Sequence, residues 1–172
     1  NTNIRDRYYE SNSKKSDWSI FSKATFNLSE NLKTFIDLQG RFVNYKTNGL
    51  TSDRDPINVN KDYNFFNPKL GFTYKINNEH SLYASYAKAN REPNRKNFED
   101  GINTPESLDD YEFGWRLSNK TVKLNTNIYY MNYDNQLILT GEIDPNTGEQ
   151  LRTSSDSSYR LGIEIDADIK LS

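Results

Sequence analysis

Arg91, Glu92, Asn94, Arg95 and Lys96 fall within six consecutive positions. A cluster of that composition could contact an anionic ligand, because guanidinium and ammonium groups are strong donors to anionic oxygens. A plain solvated loop has the same composition, and that is the commoner role for such a run. Tyr129, Met131 and Tyr133 alternate along one side of a later segment and could line a ligand vestibule. Aromatics near a strand end serve equally in an interfacial girdle or in simple packing, and these readings are favoured. Glu164, Asp166 and Asp168 form a ladder of like charges that could hold a cation. Arg160, Lys170, Arg116 and Lys123 are available to neutralise it across strands, so no metal is assigned.

Asp144, Asn146 and Gly148 bear a superficial likeness to a calcium loop, but the glycine comes one position early and no Glu closes the loop. A hairpin turn accounts for them better. His80 is the only histidine and stands in a short turn, where partners for catalysis or metal binding rarely gather. With no cysteine and no Ser–His or Cys–His arrangement, the chain has no nucleophile and base to assign, so it is not expected to be an enzyme and no cofactor is expected. The 22 basic and 24 acidic residues are interspersed, giving a formal charge of −2 with no basic stripe for nucleic acid.

The elements that would position these residues are strands. Only 34% of the 172 residues are hydrophobic, against the ~45–50% of an ordinary globular domain. Yet the 12 tyrosines and 9 phenylalanines argue against disorder. Sheets with one apolar and one wet face resolve the conflict, since every second residue is free to be polar. From Tyr159 to Leu171 the alternation is unbroken across 13 residues, longer than the ~5–6 of a soluble strand and sufficient for the ~9–11 of a tilted membrane strand. The same period predicts strands at roughly 17–28, 32–45, 65–76, 82–90, 107–117, 121–133 and 158–171, with Pro68 near a strand start or at an edge. Trp18, Ile20, Phe72, Tyr74, Phe113, Trp115, Ile163 and Ile165 should share one face. No apolar run reaches the ~18 residues of a transmembrane helix.

Short connections near 29–31, 77–81 and 118–120 alternate with long polar ones near 46–64, 91–105 and 134–157. Outer-membrane barrels show this asymmetry, with tight periplasmic turns and long extracellular loops. The fold class is therefore all-β, an antiparallel meander of about seven long strands forming part of a transmembrane barrel, with residues 1–16 as an extracellular loop. Seven strands do not close a bacterial single-chain barrel, which uses even numbers. The expectation is thus a fragment whose edge strands pair with missing barrel strands or with another copy of the chain, and whose apolar face meets outer-membrane lipid.

Four stretches resemble a known family, the TonB-dependent receptors in the form common in Bacteroidetes. They are NPKLGFTYKINNEHSLYASYAKANREPNRKNF (67–98), PESLDDYEFGWRL (105–117), NIYYMNYDNQLILTGEID (127–144) and YRLGIEIDADIKL (159–171). The resemblance implies a Gram-negative outer-membrane receptor with a 22-stranded barrel, an N-terminal plug and a TonB-contacting box, neither of which is found in these residues. It also implies energised uptake of a scarce, large ligand, an iron chelate (siderophore or haem) ahead of cobalamin or a glycan, with the TonB complex as partner. The alternatives are a small outer-membrane barrel of other function, enzyme or adhesin, and a soluble β-rich binding module with shorter strands and a dry interior.

Overall fold

The structure is a computed structural model and describes residues 10–51, 54–145 and 148–171. Seven strands follow one another: β1 (Ser11–Asn27), β2 (Leu32–Leu50), β3 (Pro56–Lys75), β4 (His80–Arg91), β5 (Glu106–Ser118), β6 (Val122–Ile143) and β7 (Gln150–Ile169). A five-residue helix, α1 (Arg95–Glu99), interrupts the β4–β5 connection. The strands form one antiparallel sheet in sequence order, an uninterrupted meander. Among the described residues β1 and β7 each pair on one side only.

Register follows the period-two pattern. Phe72, Ala84, Phe113, Ile128 and Ile163 lie directly opposite one another across five strands, and Tyr74, Leu82, Trp115, Thr126 and Ile165 form the next row. Trp18 pairs with Phe42 and Ile20 with Gly40 on the same face. This apolar face is open to the surroundings, with Trp18 78% and Ile163 70% exposed. No second layer covers it, so the usual core between layers is missing on this side. A row of tyrosines borders it: Tyr86, Tyr111, Tyr130 and Tyr159 have successive ring centroids 5.1, 6.4 and 6.0 Å apart. Amphipathic rings in such a band suit a lipid–water boundary.

On the polar face three glycines each lie opposite an aromatic residue: Phe35 opposite Gly71, Tyr83 opposite Gly114 and Tyr129 opposite Gly162. Each ring lies across its glycine, so that an added Cβ would come within 2.2, 2.1 and 2.4 Å of it respectively.

The three tight turns share one device. Ser29 Oγ accepts the N–H groups of Asn31 and Leu32, Asn77 Oδ1 those of Glu79 and His80, and Asn119 Oδ1 those of Thr121 and Val122. A short polar side chain thereby replaces the partners that the reversing backbone lacks.

At the other end the structure differs from the sequence-based expectation. Of the long loops, 46–64 and 134–157 are mostly strand: β2 runs on to Leu50 and β3 starts at Pro56, while β6 runs on to Ile143 and β7 starts at Gln150. The reason is physical: beyond a lipid slab both faces are wet, so alternation is no longer required, yet the backbone groups still pair. Likewise residues 11–16, expected in a loop, extend β1. Pro68 is internal to β3 instead of near its start. The β3–β4 ladder runs only from Lys69 to Lys75, so the proline's missing N–H falls one residue beyond its end.

Candidate functional site

Above the point where β3 loses β4, its polar face is covered by the β4–β5 connection. Asn94 begins α1 with a reciprocal capping box: its side chain accepts the Asn97 N–H at 3.0 Å, and its own N–H donates to Asn97 Oδ1 at 2.9 Å. Gly101, at φ +80°, ends the helix. The Gly101 N–H donates to the Phe98 carbonyl and the Ile102 N–H to that of Asn97, which closes the last turn. This compact loop aims Phe98 at β2, where it stacks on Tyr45 with centroids 5.3 Å apart. Val43, Tyr45, Ile57, Tyr63, Phe65 and Phe98 form the buried apolar cluster of the described residues. The Tyr63 hydroxyl donates to the Asn103 carbonyl at 3.3 Å and ties down the far end of the loop.

At the near end, Glu92 is fixed by the wall. Arg41 on β2 donates from Nη1 to Glu92 Oε2 at 2.8 Å and from Nη2 to Oε1 at 3.0 Å, and Lys15 on β1 donates to Oε1. Arg41 also reaches Asp17 from Nε at 3.1 Å. The Glu92 side chain is 8% exposed. Burial alone would push its carboxyl up, but the hydrogen bonds from Lys15, the backbone and Arg41, with the Arg41 charge, outweigh it and hold Glu92 below the usual glutamate range.

The basic residues of the expected cluster all have carboxylate partners. Arg91 pairs with Glu106, opposite it in register. Arg95 Nε lies 2.8 Å from Glu99 Oε1. Lys96 Nζ lies 3.5 Å from Asp100 Oδ1 and 3.4 Å from Glu149 Oε2. Burial would lower the Lys96 ammonium, yet Asp100 and Glu149 together raise it above its ordinary value. Arg91 remains the most accessible of the group, its side chain 61% exposed. Lys96 bridges the loop to the tip that precedes β7, so the loop spans from the β1–β2 wall to the β6–β7 hairpin.

Tyr129, Met131 and Tyr133 point to the polar face. The tyrosine band uses Tyr130, one residue along and on the opposite face, so these three are not part of that girdle. Tyr129 covers Gly162, the Tyr133 hydroxyl donates to Met131 Sδ at 3.6 Å, and the Arg160 guanidinium lies 5.2 Å from the Tyr133 ring centroid. Glu164, Asp166 and Asp168 stand on the same face opposite Asn127, Asn125 and Lys123. Alternate residues along a strand are ~6.6 Å apart, and among the described residues no three His, Cys, Asp or Glu side chains converge to hold a metal. His80 stacks on Trp115 with centroids 5.6 Å apart at the turn-bearing end of the apolar face. Asp144 is buried, and its N–H and carbonyl close a turn with Glu149 and Gly148. Asn146 lies outside the described residues.

Sequence reasoning missed Arg41, Lys15 and Asp17. Their parity marks the polar face, but nothing in the sequence joins position 41 to position 92.

Among the described residues no helix is long and apolar enough to cross a membrane. The strands are: 12 to 22 residues each, against the ~9–11 that a tilted spanning strand requires. Comparison with known proteins agrees. The chain is 29% identical over 102 residues to the ferric-pyoverdine 358 receptor of Pseudomonas putida, a stretch covering 58% of this chain and 12% of that receptor. Its fold matches the copper transporter OprC with a TM-score of 0.76 at 13% identity, covering 93% of this chain and 27% of OprC. It also matches the siderophore receptor PiuA from Acinetobacter baumannii, with a TM-score of 0.72 at 17% identity over 94% of this chain and 24% of PiuA. The chain therefore spans about a quarter or less of the length of these relatives.

The family model described as TonB dependent receptor-like, beta-barrel matches residues 1–172. The apolar face is accordingly the lipid-facing outside of a barrel wall in the Gram-negative outer membrane, and the polar face lines the interior. With seven antiparallel strands in one meander and a family match over its whole length, the chain belongs to the TonB-dependent receptor β-barrel family.

Proposed function

We propose that this stretch of barrel wall serves an outer-membrane receptor that takes up a ferric chelate, with release driven by the TonB complex. The observation that carries the reading is the β4–β5 loop, folded inward over the interior face and held there by Glu92 and Phe98. A segment so placed lies across the mouth of the barrel, where a ligand arriving from outside would first meet protein. The names of the relatives support an iron-bearing cargo: a ferric-pyoverdine receptor and a siderophore receptor are among them. OprC is named as a copper transporter, so copper chelates are the competing cargo in the test.

Within this reading Arg91 is the primary anion contact, because its guanidinium is exposed at the loop's root and, among the described residues, pairs with Glu106 alone. Arg95 and Asn94 contribute from α1. Tyr129 and Met131 line the wall deeper in the interior, and Glu92 acts by anchoring the loop. The decisive experiment is uptake by cells that carry the whole receptor of iron-55, supplied as ferric siderophores or as haem, and of copper-64, supplied as copper chelates. Uptake of a ferric chelate that drops severalfold in Arg91→Gln supports the reading. Uptake of copper alone, or of no metal chelate, rejects it.

A further inference from the structure

Between α1 and the start of β7 lies a cavity of about 350 Å³ lined by Asn94, Lys96, Asn97, Glu149, Gln150 and Arg152. The capping box decides what the two asparagines offer it. Asn94 Oδ1 accepts the Asn97 N–H and Asn97 Oδ1 accepts the Asn94 N–H, so both amide oxygens are engaged by backbone and each side chain is left with its Nδ2, a donor. Asn97 is 1% exposed, and its Nδ2 finds no acceptor among the described residues. A buried donor in that state costs stability until an acceptor arrives. Arg152, opposite Leu139 near the start of β7, forms no ion pair among the described residues. Among those residues Glu149 is the one carboxylate of the lining, and it faces Lys96, which also pairs with Asp100. The cavity is thus short of acceptors and holds an uncommitted guanidinium. No aromatic side chain is among its lining residues.

We propose that this cavity is a subsite for a carboxylate group of the cargo, so that the ferric chelate taken up is of the hydroxycarboxylate class. A carboxylate accepts two parallel hydrogen bonds from a guanidinium and has lone pairs to spare for the two Nδ2 groups. A hydroxyl beside it suits Gln150, whose amide both donates and accepts. Other chelate chemistries fit worse. A ferric tris-hydroxamate carries no net charge and leaves the guanidinium with nothing to pair. A ferric tris-catecholate is anionic, but it meets a protein with the faces and edges of aromatic rings, for which this lining has no stacking partner. The volume is at the small end of the ~300–1,000 Å³ of ligand sites, which suits one arm of a chelate.

The inference rests on the receptor reading and names the class of its cargo. The test uses the whole receptor, purified in detergent and titrated with iron-55 as ferric citrate, as a ferric tris-catecholate and as a ferric tris-hydroxamate, with binding counted per mole of monodisperse receptor. Ferric citrate should bind most tightly of the three, and Arg152→Gln should weaken it roughly tenfold while changing the others less than about twofold. Asn97→Asp keeps the oxygen that caps α1 and replaces the donor by an anionic oxygen, so it should weaken ferric citrate by a similar factor. Should that buried substitution disturb the loop, Arg152→Lys decides: it keeps the charge without the paired donors and should recover only part of the loss. Lys46→Gln, on the outward face with Phe42, should change nothing. No binding of ferric citrate, unchanged binding in Arg152→Gln, or tighter binding of either other chelate overturns the carboxylate subsite. The receptor reading is judged separately: it survives such a result if cells still take up a ferric chelate in a manner that depends on Arg91, and it fails if no ferric chelate enters at all.

Discussion

Arg41 grips Glu92 with two hydrogen bonds of 2.8 and 3.0 Å across a separation of 51 residues, joining the middle of β2 to the root of the loop after β4. The pair is partly desolvated, and Asp17 on β1 and Lys15 complete a network of alternating sign. Such a network is cooperative: loss of one member leaves the others short of a partner in a poorly hydrated place.

Arg41→Met should therefore loosen the loop without unfolding the wall. Local stability of residues 92–105 should fall by about 1–3 kcal/mol, read as faster amide exchange there, while the β5–β6 ladder keeps its protection. Equal acceleration in both regions would show that Arg41 supports the sheet generally.

The same network predicts an acid response. Glu92 is held below the usual glutamate value of 4.5, so its folded form is the better acid. The stabilisation is fully present above that value and is lost as pH falls through the lowered one. Exchange of the loop amides, corrected for intrinsic rates, should thus be flat from neutral pH down to the glutamate range and rise below it. Glu92→Gln should abolish the rise, and a variant that keeps it would move the titration to another group.

Face assignment is tested by neighbours on β7. Ile163→Lys puts a charge among lipid tails and should cost ~2–4 kcal/mol near the bilayer midplane. Glu164→Lys, one residue along on the interior face, should stay within ~0.5 kcal/mol. Denaturant titration of folding into vesicles measures both, and similar costs would contradict the register.

Gly162→Ala should destabilise by about 1–3 kcal/mol, because its Cβ would enter the space of the Tyr129 ring. Adding Tyr129→Ala removes the obstacle, so the double variant should recover at least ~0.5 kcal/mol relative to additivity. A strictly additive cycle would mean that the ring moves aside at no cost.

The lipid-spanning part of this fold was legible in its residues. In β7, Tyr159, Leu161, Ile163 and Ile165 alternate with Arg160, Gly162, Glu164 and Asp166, because one face must be apolar and the other need not be. The same logic fails above the membrane. In the upper part of β6, Leu137, Ile138 and Leu139 run consecutively and Gly141 bends the strand at φ +85°, beside a shift in register. No face there is required to be dry, so pairing leaves no periodic trace. The site was harder still to read. Arg91 to Lys96 stood out by composition, but their carboxylate partners include Glu106 and Glu149, and the loop's anchor is Arg41. Such links are made by the meander, which brings β2 under a loop that follows β4, and no local pattern encodes them.

The three aromatic–glycine pairs on the interior face bear on how the wall avoids misassembly. A strand that slides by two residues against its neighbour keeps every apolar side chain toward lipid, so the membrane offers no objection to the error. The pairs do object. Moved by two, Phe35 would lie over Lys69 or Thr73, Tyr83 over Glu112 or Arg116, and Tyr129 over Arg160 or Glu164. None of these positions has room for a ring lying flat on the backbone. Spread over β2–β3, β4–β5 and β6–β7, the pairs check alternate seams for the even-numbered slips to which hydrophobic sorting is blind.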